Sequence, residues 1–269
     1  MVELKLIGVS LGYQRSLVIK DMTLEVRPGE MLGLVGPNGC GKSTIIKALS
    51  RVLLPYSGNI LVNGRNISQI PRIELARLIG VVPQIPLLPS GFTAFEIVLM
   101  GRNPHLGLLQ YEGQKDMAIA REAMEKTSTR HLAHRRIGEL SGGEIQSIVV
   151  ARVLAQQTEA VLLDEPTANL DIGRQIEILD LIKGLCCKDG LTVVIALHDL
   201  NLAAQYCDRL ILIDKGRIHC QGRPDEVITV ENIVQVYGSG SYIYRHPLSG
   251  LPVVLPTAGS SKIGRGDQV

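Results

Sequence analysis

The sequence of 269 residues predicts an α/β fold, and two patterns along the chain carry that prediction. The first is a series of short apolar runs rich in Val, Ile and Leu, each closely followed by Gly, Pro or Asp, with helical patterns after several of them. Strands that are apolar on both faces belong in a parallel sheet covered by helices. The runs lie at residues 31–35, 79–82, 160–163, 192–197 and 210–213. In such a sheet, ligand chemistry is expected at the carboxyl ends of the strands.

The second pattern is a long stretch in which helical periodicity replaces the strand pattern, between residues 92 and 155. Thr93 and Glu96 have the spacing of a capping box at a helix start. A second amphipathic stretch follows, with apolar residues at Met117, Ala120, Ala123 and Met124. We therefore expect a helical subdomain at about residues 86–156, inserted into the α/β core.

The ends of the chain read differently from its middle. The first ten residues alternate apolar and polar side chains, which predicts a strand and does not fit a signal peptide. Asp214, Lys215 and Gly216 form a turn pattern that predicts a hairpin. Residues 257–269 carry Gly, Ser and charge with little to bury, so we expect one folded domain at residues 1–256 and a disordered tail.

Composition excludes several classes of function. The net charge is only +2, aromatic residues make up 3% and Trp is absent, so nucleic acid is not an expected partner. No apolar stretch approaches the roughly 20 residues that cross a bilayer. The five cysteines show no metal or redox spacing, and we expect them to be reduced thiols in a cytoplasmic protein.

A glycine-rich loop follows the apolar run at 31–35 and precedes a helical pattern. It fits the pattern G-x-x-x-x-G-K-[ST], in which backbone N–H groups cradle phosphate oxygens. A lysine here supplies positive charge for the β- and γ-phosphates, and the following hydroxyl can bind Mg²⁺. The loop residues are Gly36, Pro37, Asn38, Gly39, Cys40, Gly41, Lys42, Ser43 and Thr44. The sequence therefore predicts a nucleotide site.

Two carboxylates end the apolar run at 160–163. Asp164 has the hard oxygen ligand that Mg²⁺ prefers, and Glu165 is a candidate to polarise a water molecule against the γ-phosphate. Alone, an Asp-Glu pair is typical of any solvated strand end. Beside a loop that carries Lys42, it predicts a hydrolytic site.

A second glycine pair opens another helical pattern, at Leu140, Ser141, Gly142, Gly143 and Glu144. Ser141 and Glu144 have capping-box spacing, so one interpretation is a good helix N-cap and no more. However, two glycines in the first turn weaken a helix and expose backbone amides that can bind an anion. A second such helix start in a chain with one nucleotide loop suggests that the two halves of a site come from different subunits.

Two further polar residues follow predicted strands. His198 follows the run at 192–197; a histidine in this place is more often structural, but here it could hold water and the γ-phosphate in register. Gln84 follows the run at 79–82 and leads into the helical stretch. Its amide could contact both a metal ion and the helical subdomain.

Together and in this order, these motifs resemble the nucleotide-binding subunit of the ABC transporter family over nearly the whole chain. The resemblance implies a P-loop NTPase core of the ABC type with an N-terminal antiparallel β subdomain and an inserted helical subdomain. It also implies ATP and Mg²⁺ as cofactors. Two copies would hold ATP between them at the cytoplasmic face of a membrane, together with a permease and, indirectly, an extracytoplasmic substrate-binding protein.

The resemblance further implies a role for individual residues. Tyr13 would stack on adenine, and residues 36–44 would be the Walker A loop. Gln84 would be the Q-loop glutamine, which contacts the metal and the γ-phosphate. Asp164 would be the Walker B aspartate, Glu165 the catalytic base and His198 the switch histidine.

Two segments would act across the dimer. Residues 140–144 would be the family signature that binds the partner's ATP, and residues 168–171, which include Asp171, would be the D-loop. Ile145 and Ser147 depart from the family pattern, in which polar or basic residues commonly follow the signature.

Three segments are similar to a narrower group, the importers of iron complexes, haem and cobalamin. They are residues 99–107, 197–203 and 244–252. Importers of molybdate or divalent metals share parts of them. In this interpretation His105 is not a metal ligand but packs in the helical subdomain near the permease.

The function implied is ATP hydrolysis that powers uptake of a metal chelate. One alternative is a soluble ABC ATPase of an iron–sulfur assembly scaffold, which the sequence does not separate from a transporter subunit. Repair and translation relatives are disfavoured, since the chain has neither a long coiled-coil insertion nor a second nucleotide domain. A plain P-loop kinase conflicts with residues 140–144.

Overall fold

The structure, a computed structural model, describes residues 1–14, 16–107, 109–168, 170–238 and 241–256. The tail predicted at 257–269 lies outside these residues. The strands are β1 Leu4–Tyr13, β2 Ser16–Val26, β3 Met31–Val35, β4 Ser57–Val62, β5 Arg65–Asn66, β6 Ile79–Val82, β7 Ala160–Asp164, β8 Thr192–Ala196, β9 Arg209–Asp214, β10 Arg217–Gly222, β11 Ser241–Arg245 and β12 Pro252–Pro256. The helices are α1 Lys42–Leu49, α2 Arg72–Leu78, α3 Ala94–Leu99, α4 Gln114–Lys126, α5 Gly142–Ala155, α6 Ile172–Asp189, α7 Leu200–Tyr206, α8 Pro224–Val227 and α9 Val230–Tyr237.

The apolar runs form the central sheet, in the order β10-β9-β3-β8-β7-β6. The five strands from β9 to β6 are parallel, and β10 pairs antiparallel with β9 through the predicted turn. Strands β3, β7 and β8 are buried along their whole length, as expected for a sheet covered on both faces. The predicted α/β class is confirmed.

An antiparallel sheet in the order β2-β1-β4-β5 lies at the N-terminal side of the chain. Side chains alternate along β3, so that Leu32 and Leu34 pack with the antiparallel sheet while Met31 and Val35 pack with α6 and α7. The central sheet therefore separates two cores, and α1 lies in the first of them. A third cluster lies among α3, α4 and α5.

The helices between β6 and β7 begin where their capping patterns predict. Thr93 caps α3 with Glu96, and Ser141 caps α5 with Glu144, each as a complete capping box. On α4, Ala120, Ala123 and Met124 are buried, as the amphipathic pattern indicates.

Two further observations concern the described residues alone. No helix there combines the length and the apolar character that a membrane span needs. All five cysteines are free thiols.

Candidate active site

The loop between β3 and α1 requires glycine at two positions. Gly36 has a φ of +146°, and a Cβ there would lie 2.2 Å from the carbonyl oxygen of Ile213. Gly41 has a φ of +114°, and a Cβ there would lie 2.3 Å from Cδ1 of Ile19. Helix α1 starts directly after Gly41 with no side-chain cap. The N–H groups of its first turn are therefore free to meet an anion.

Lys42 lies inside this loop. Its Nζ donates hydrogen bonds to the carbonyl oxygens of Gly36 at 2.7 Å and Pro37 at 3.2 Å. The residue is only 4% exposed, so its positive charge is held against the loop backbone rather than in solvent. A compact ammonium in this place can attract phosphate oxygens.

Ser43 and Asp164 form an oxygen pair beside the loop. Strand β7 carries Asp164 at its carboxyl end, and the Ser43 hydroxyl donates to Oδ1 of Asp164 over 2.8 Å. Burial raises the pKa of the Asp164 carboxyl, and the hydrogen bond from Ser43 opposes that shift. A hydroxyl and a carboxylate are ligands that suit Mg²⁺, so this pair fits the ion implied by the sequence.

Glu165 lies between Gln84 and His198. Because β6, β7 and β8 are neighbouring parallel strands, the residues that follow them meet at one edge of the sheet. Gln84 donates from Nε2 to Oε2 of Glu165 at 2.6 Å, and Nε2 of His198 contacts the other carboxylate oxygen. Glu165 is 7% exposed and has a φ of +51°. A non-glycine residue in the left-handed region is uncommon and is often found where function requires a special backbone.

A cavity of about 420 Å³ connects these groups. Its lining residues are Val18, Asn38, Gly39, Gly41, Lys42, Ser43, Thr44, Gln84, Glu165 and His198. Tyr13 ends β1 outside this lining; it is 44% exposed, and Nζ of Lys47 lies 5.5 Å from the centre of its ring. An exposed aromatic ring beside α1 can stack on a base.

Residues 141–144 begin α5 and are not part of this cavity. Oε2 of Glu144 accepts a hydrogen bond from the Ser141 backbone at 2.8 Å, and this bond, with that of the Ser141 hydroxyl, lowers the pKa of Glu144. Its carboxylate therefore serves the helix cap. Gly142 is exposed, and a Cβ added there would meet no atom within 4 Å. The first turn of α5 thus presents its backbone to the outside.

Asp171 and Leu170 lie next to that helix start. Asp171 caps α6 by accepting from the Arg174 backbone N–H at 2.9 Å. A Cβ on Gly143 would lie 3.2 Å from Cδ2 of Leu170, so the two predicted cross-dimer segments are neighbours. Asn169 of the predicted D-loop lies outside the described residues. Ser147, which departs from the family pattern, donates its hydroxyl to the carbonyl oxygen of Gly143 at 3.1 Å.

The C-terminal end of α5 is held by residues whose role the sequence analysis missed. Arg102 is 5% exposed; its Nε donates to Oδ1 of Asp116 at 2.9 Å and its Nη1 to the carbonyl oxygen of Ala155 at 2.8 Å. Nε2 of His105 lies 2.7 Å from the carbonyl oxygen of Gln156. His105 therefore packs at the end of the helix that residues 141–144 begin. The motif at 99–107 is similar to that of importers of iron complexes, haem and cobalamin. Its spacing did not indicate that its side chains bind the carbonyl oxygens at the C-terminal end of α5.

A phosphate loop at the carboxyl end of a parallel strand, with an acidic pair on the strand two places away in the sheet, is the arrangement that defines P-loop nucleotide hydrolases. Residues 19–168, more than half of the chain, match the ABC transporter family. The chain belongs to this family and is an ATPase of it.

Curated relatives match along nearly the whole chain. The hemin import ATP-binding protein HmuV of Gloeobacter violaceus is 42% identical over 273 residues, which cover 99% of this chain and 98% of that protein. The ferric enterobactin transport ATP-binding protein FepC of Escherichia coli is 40% identical over 248 residues, covering 92% of each chain.

Solved structures match as well. An inward-facing ABC transporter described as of the metal-chelate type superposes with a TM-score of 0.83 at 27% identity, covering 96% of this chain and 98% of that one. A dimeric ATP-binding cassette with ADP and phosphate, in a post-hydrolysis state, gives a TM-score of 0.75 at 28% identity, covering 82% of this chain and 98% of that one. The predicted P-loop core of the ABC type is confirmed.

Proposed function

We propose that this chain is the ATP-hydrolysing subunit of an importer that takes up a metal chelate, such as an iron–siderophore complex, haem or cobalamin. The observation that carries the cargo class is the set of relatives at 36–42% identity that are named for siderophore, enterobactin, hemin and cobalamin import. The chain works at the cytoplasmic face of the membrane with a separate permease. An extracytoplasmic substrate-binding protein delivers the chelate to that permease.

ATP binds at the cavity of residues 36–44. The adenine ring stacks on Tyr13, while the N–H groups of the loop and of the first turn of α1 surround the phosphates. Lys42 leaves the carbonyl oxygens of Gly36 and Pro37 for the β- and γ-phosphate oxygens, which are stronger acceptors because they are charged.

Ser43, Asp164 and Gln84 would hold Mg²⁺, which would neutralise charge on the phosphates. Glu165 accepts the proton of a water molecule as that water attacks the γ-phosphorus. The bond from the γ-phosphorus to the bridging oxygen breaks, and ADP and phosphate are formed. His198 donates toward the γ-phosphate and keeps it aligned with the water.

The reaction centre is completed by a second copy of the chain. The cavity is not lined by residues 141–144, yet those residues present exposed backbone at the start of α5. In the closed dimer, this helix start meets the γ-phosphate bound by the partner. ADP lacks that phosphate, so hydrolysis removes the contact that favours closure, and the dimer opens.

Co-purification and an uptake assay in vesicles test the proposal. The chain is expressed with its neighbouring genes, and uptake of a radiolabelled iron chelate into vesicles is measured with and without internal ATP. ATP-dependent uptake that stops with Glu165→Gln supports the proposal. A soluble partner in place of a polytopic membrane protein would favour the assembly-scaffold alternative, and uptake of molybdate or free divalent metal would overturn the cargo class.

A further inference from the structure

The C-terminal part of the chain packs beside the active site. We call α9 with the β11–β12 hairpin the C-terminal brace, residues 230–238 and 241–256. Tyr237, Ile243 and Val254 of the brace pack against the core cluster that contains Val35 and Leu197. These two core residues directly precede Gly36 and His198 in the chain. The brace therefore shares a core cluster with the residues that precede the phosphate loop and the histidine.

One side chain connects the brace to the helix after His198. Nδ2 of Asn201 donates to the carbonyl oxygen of Val254 at 3.2 Å, and the Val254 backbone N–H donates to Oδ1 of Asn201 at 2.7 Å. The amide N–H group of Asn201 donates and its amide oxygen accepts, as the backbone groups of a β-ladder pair do. This two-point contact joins segments that are 53 residues apart.

Asn201 lies in the first turn of α7, close to the catalytic histidine. The N-cap residue Asp199 accepts hydrogen bonds from the backbone N–H groups of Asn201 at 2.7 Å and Leu202 at 3.1 Å. His198 lies between this cap and Leu197, whose N–H donates to the carbonyl oxygen of Leu34 at 3.1 Å. The backbone of His198 is thus fixed on one side by the sheet and on the other by the first turn of α7.

A second residue of the brace, Tyr237, packs against the same core cluster. Burial, together with the nearby Cys40 thiol, raises the pKa of Tyr237 to about 12, and the Gly36 backbone acts in the opposite direction. Tyr237 ends α9, which is closed by Gly238 in the left-handed region.

We propose that Asn201 is a positioning residue for ATP hydrolysis, which anchors the first turn of α7 to Val254 and so fixes the backbone of His198 beside Glu165. This inference rests on the proposed function. The same contact links two of the segments that resemble chelate importers, residues 197–203 and 244–252. Asn201 of the former pairs with Val254 of β12, the strand into which the latter leads.

The test is a double-mutant cycle on the full chain, with steady-state hydrolysis of MgATP and nucleotide affinity measured for each variant. Asn201→Ala should lower kcat by about tenfold, because a small displacement of a catalytic group is costly, while the affinity for ATP stays within about twofold. In a His198→Ala background the same change should have no further effect, since Asn201 acts through that histidine. Asn232→Ala is the matched control: its amide donates to the Val227 carbonyl at 3.0 Å within the C-terminal part, and kcat should not change.

A second variant breaks the same contact from the other partner. Val254→Pro removes the N–H that donates to Asn201 and leaves Asn201 itself intact. It should reproduce the loss in kcat, and it serves alone if Asn201→Ala fails to fold. Equal losses in the His198→Ala and wild-type backgrounds, or a full kcat with a lowered Tm, would overturn the inference. A wild-type chain that does not hydrolyse ATP, or a His198→Ala chain with wild-type turnover, would overturn the assigned reaction and this inference with it.

Discussion

Gln84 and Glu165 are joined by a hydrogen bond of 2.6 Å from the amide Nε2 to the carboxylate Oε2. His198 contacts the other oxygen of the same carboxylate, so both oxygens of the proposed base are engaged. Each carboxylate oxygen keeps a further lone pair, so Glu165 can still accept a proton from water. Gln84 follows β6 and precedes the helical segment. Its hydrogen bond therefore connects that segment directly to the carboxylate of Glu165.

Replacing Glu165 by Gln should separate binding from hydrolysis. The amide keeps the size of the side chain but cannot accept a proton, so ATP should still bind while turnover falls by about a hundredfold or more. Light scattering should show a stable dimer in MgATP, and a phosphate-release assay measures turnover. ATPase activity near the wild-type level would remove Glu165 as the base.

Replacing Lys42 by Ala should weaken nucleotide binding itself. The ammonium is buried inside the loop, where its interaction with phosphate is screened less than at the surface. Loss of a charge-assisted contact predicts a loss of affinity of at least about tenfold, measured by titration of a fluorescent ATP analogue. Unchanged affinity would contradict the role assigned to Lys42.

Replacing Arg102 by Leu should lower the free energy of unfolding rather than the rate of ATP hydrolysis. The side chains of Arg102 and Asp116 are 6% and 13% exposed, so the change leaves a nearly buried carboxylate without its charged partner. The expected loss is about 3 kcal/mol in the free energy of unfolding, read from denaturant curves.

Arg130→Leu is the control for that variant. Arg130 pairs with Glu125 on the surface, where the two side chains are 71% and 50% exposed, and the loss should stay below about 1 kcal/mol. Equal losses in the free energy of unfolding for the two variants would show that the ion pair of Arg102 stabilises the fold no more than a surface pair does.

The parts of this molecule that follow local rules could be predicted from the sequence. The apolar run at 192–197 became β8, Thr192–Ala196, and the spacing of Thr93 and Glu96 became a complete capping box. The positions of Asp164 and Glu165 beside the phosphate loop followed from a parallel sheet, because such sheets gather functional groups at one edge.

The parts that depend on distant partners could not be predicted. Arginine is usually exposed, and the burial of Arg102 depends on its hydrogen bonds to Asp116 and to the end of α5. The pairing of Asn201 with Val254 joins segments that no periodicity relates. The left-handed backbone of Glu165 also has no signal in the sequence, since such a conformation persists only where the surrounding structure holds it.

The shared reaction centre is tested most directly by mixing two inactive variants in a Glu165→Gln background, where bound ATP is trapped. Lys42→Ala disables the loop, and Ser141→Arg blocks the start of α5, so neither variant alone should trap nucleotide. In a mixed dimer, one site combines the intact loop of one copy with the intact helix start of the other. One trapped ATP per mixed dimer is expected after gel filtration. If the mixture traps no more than the separate variants, or if Ser141→Arg alone traps ATP as a monomer, the shared site is contradicted.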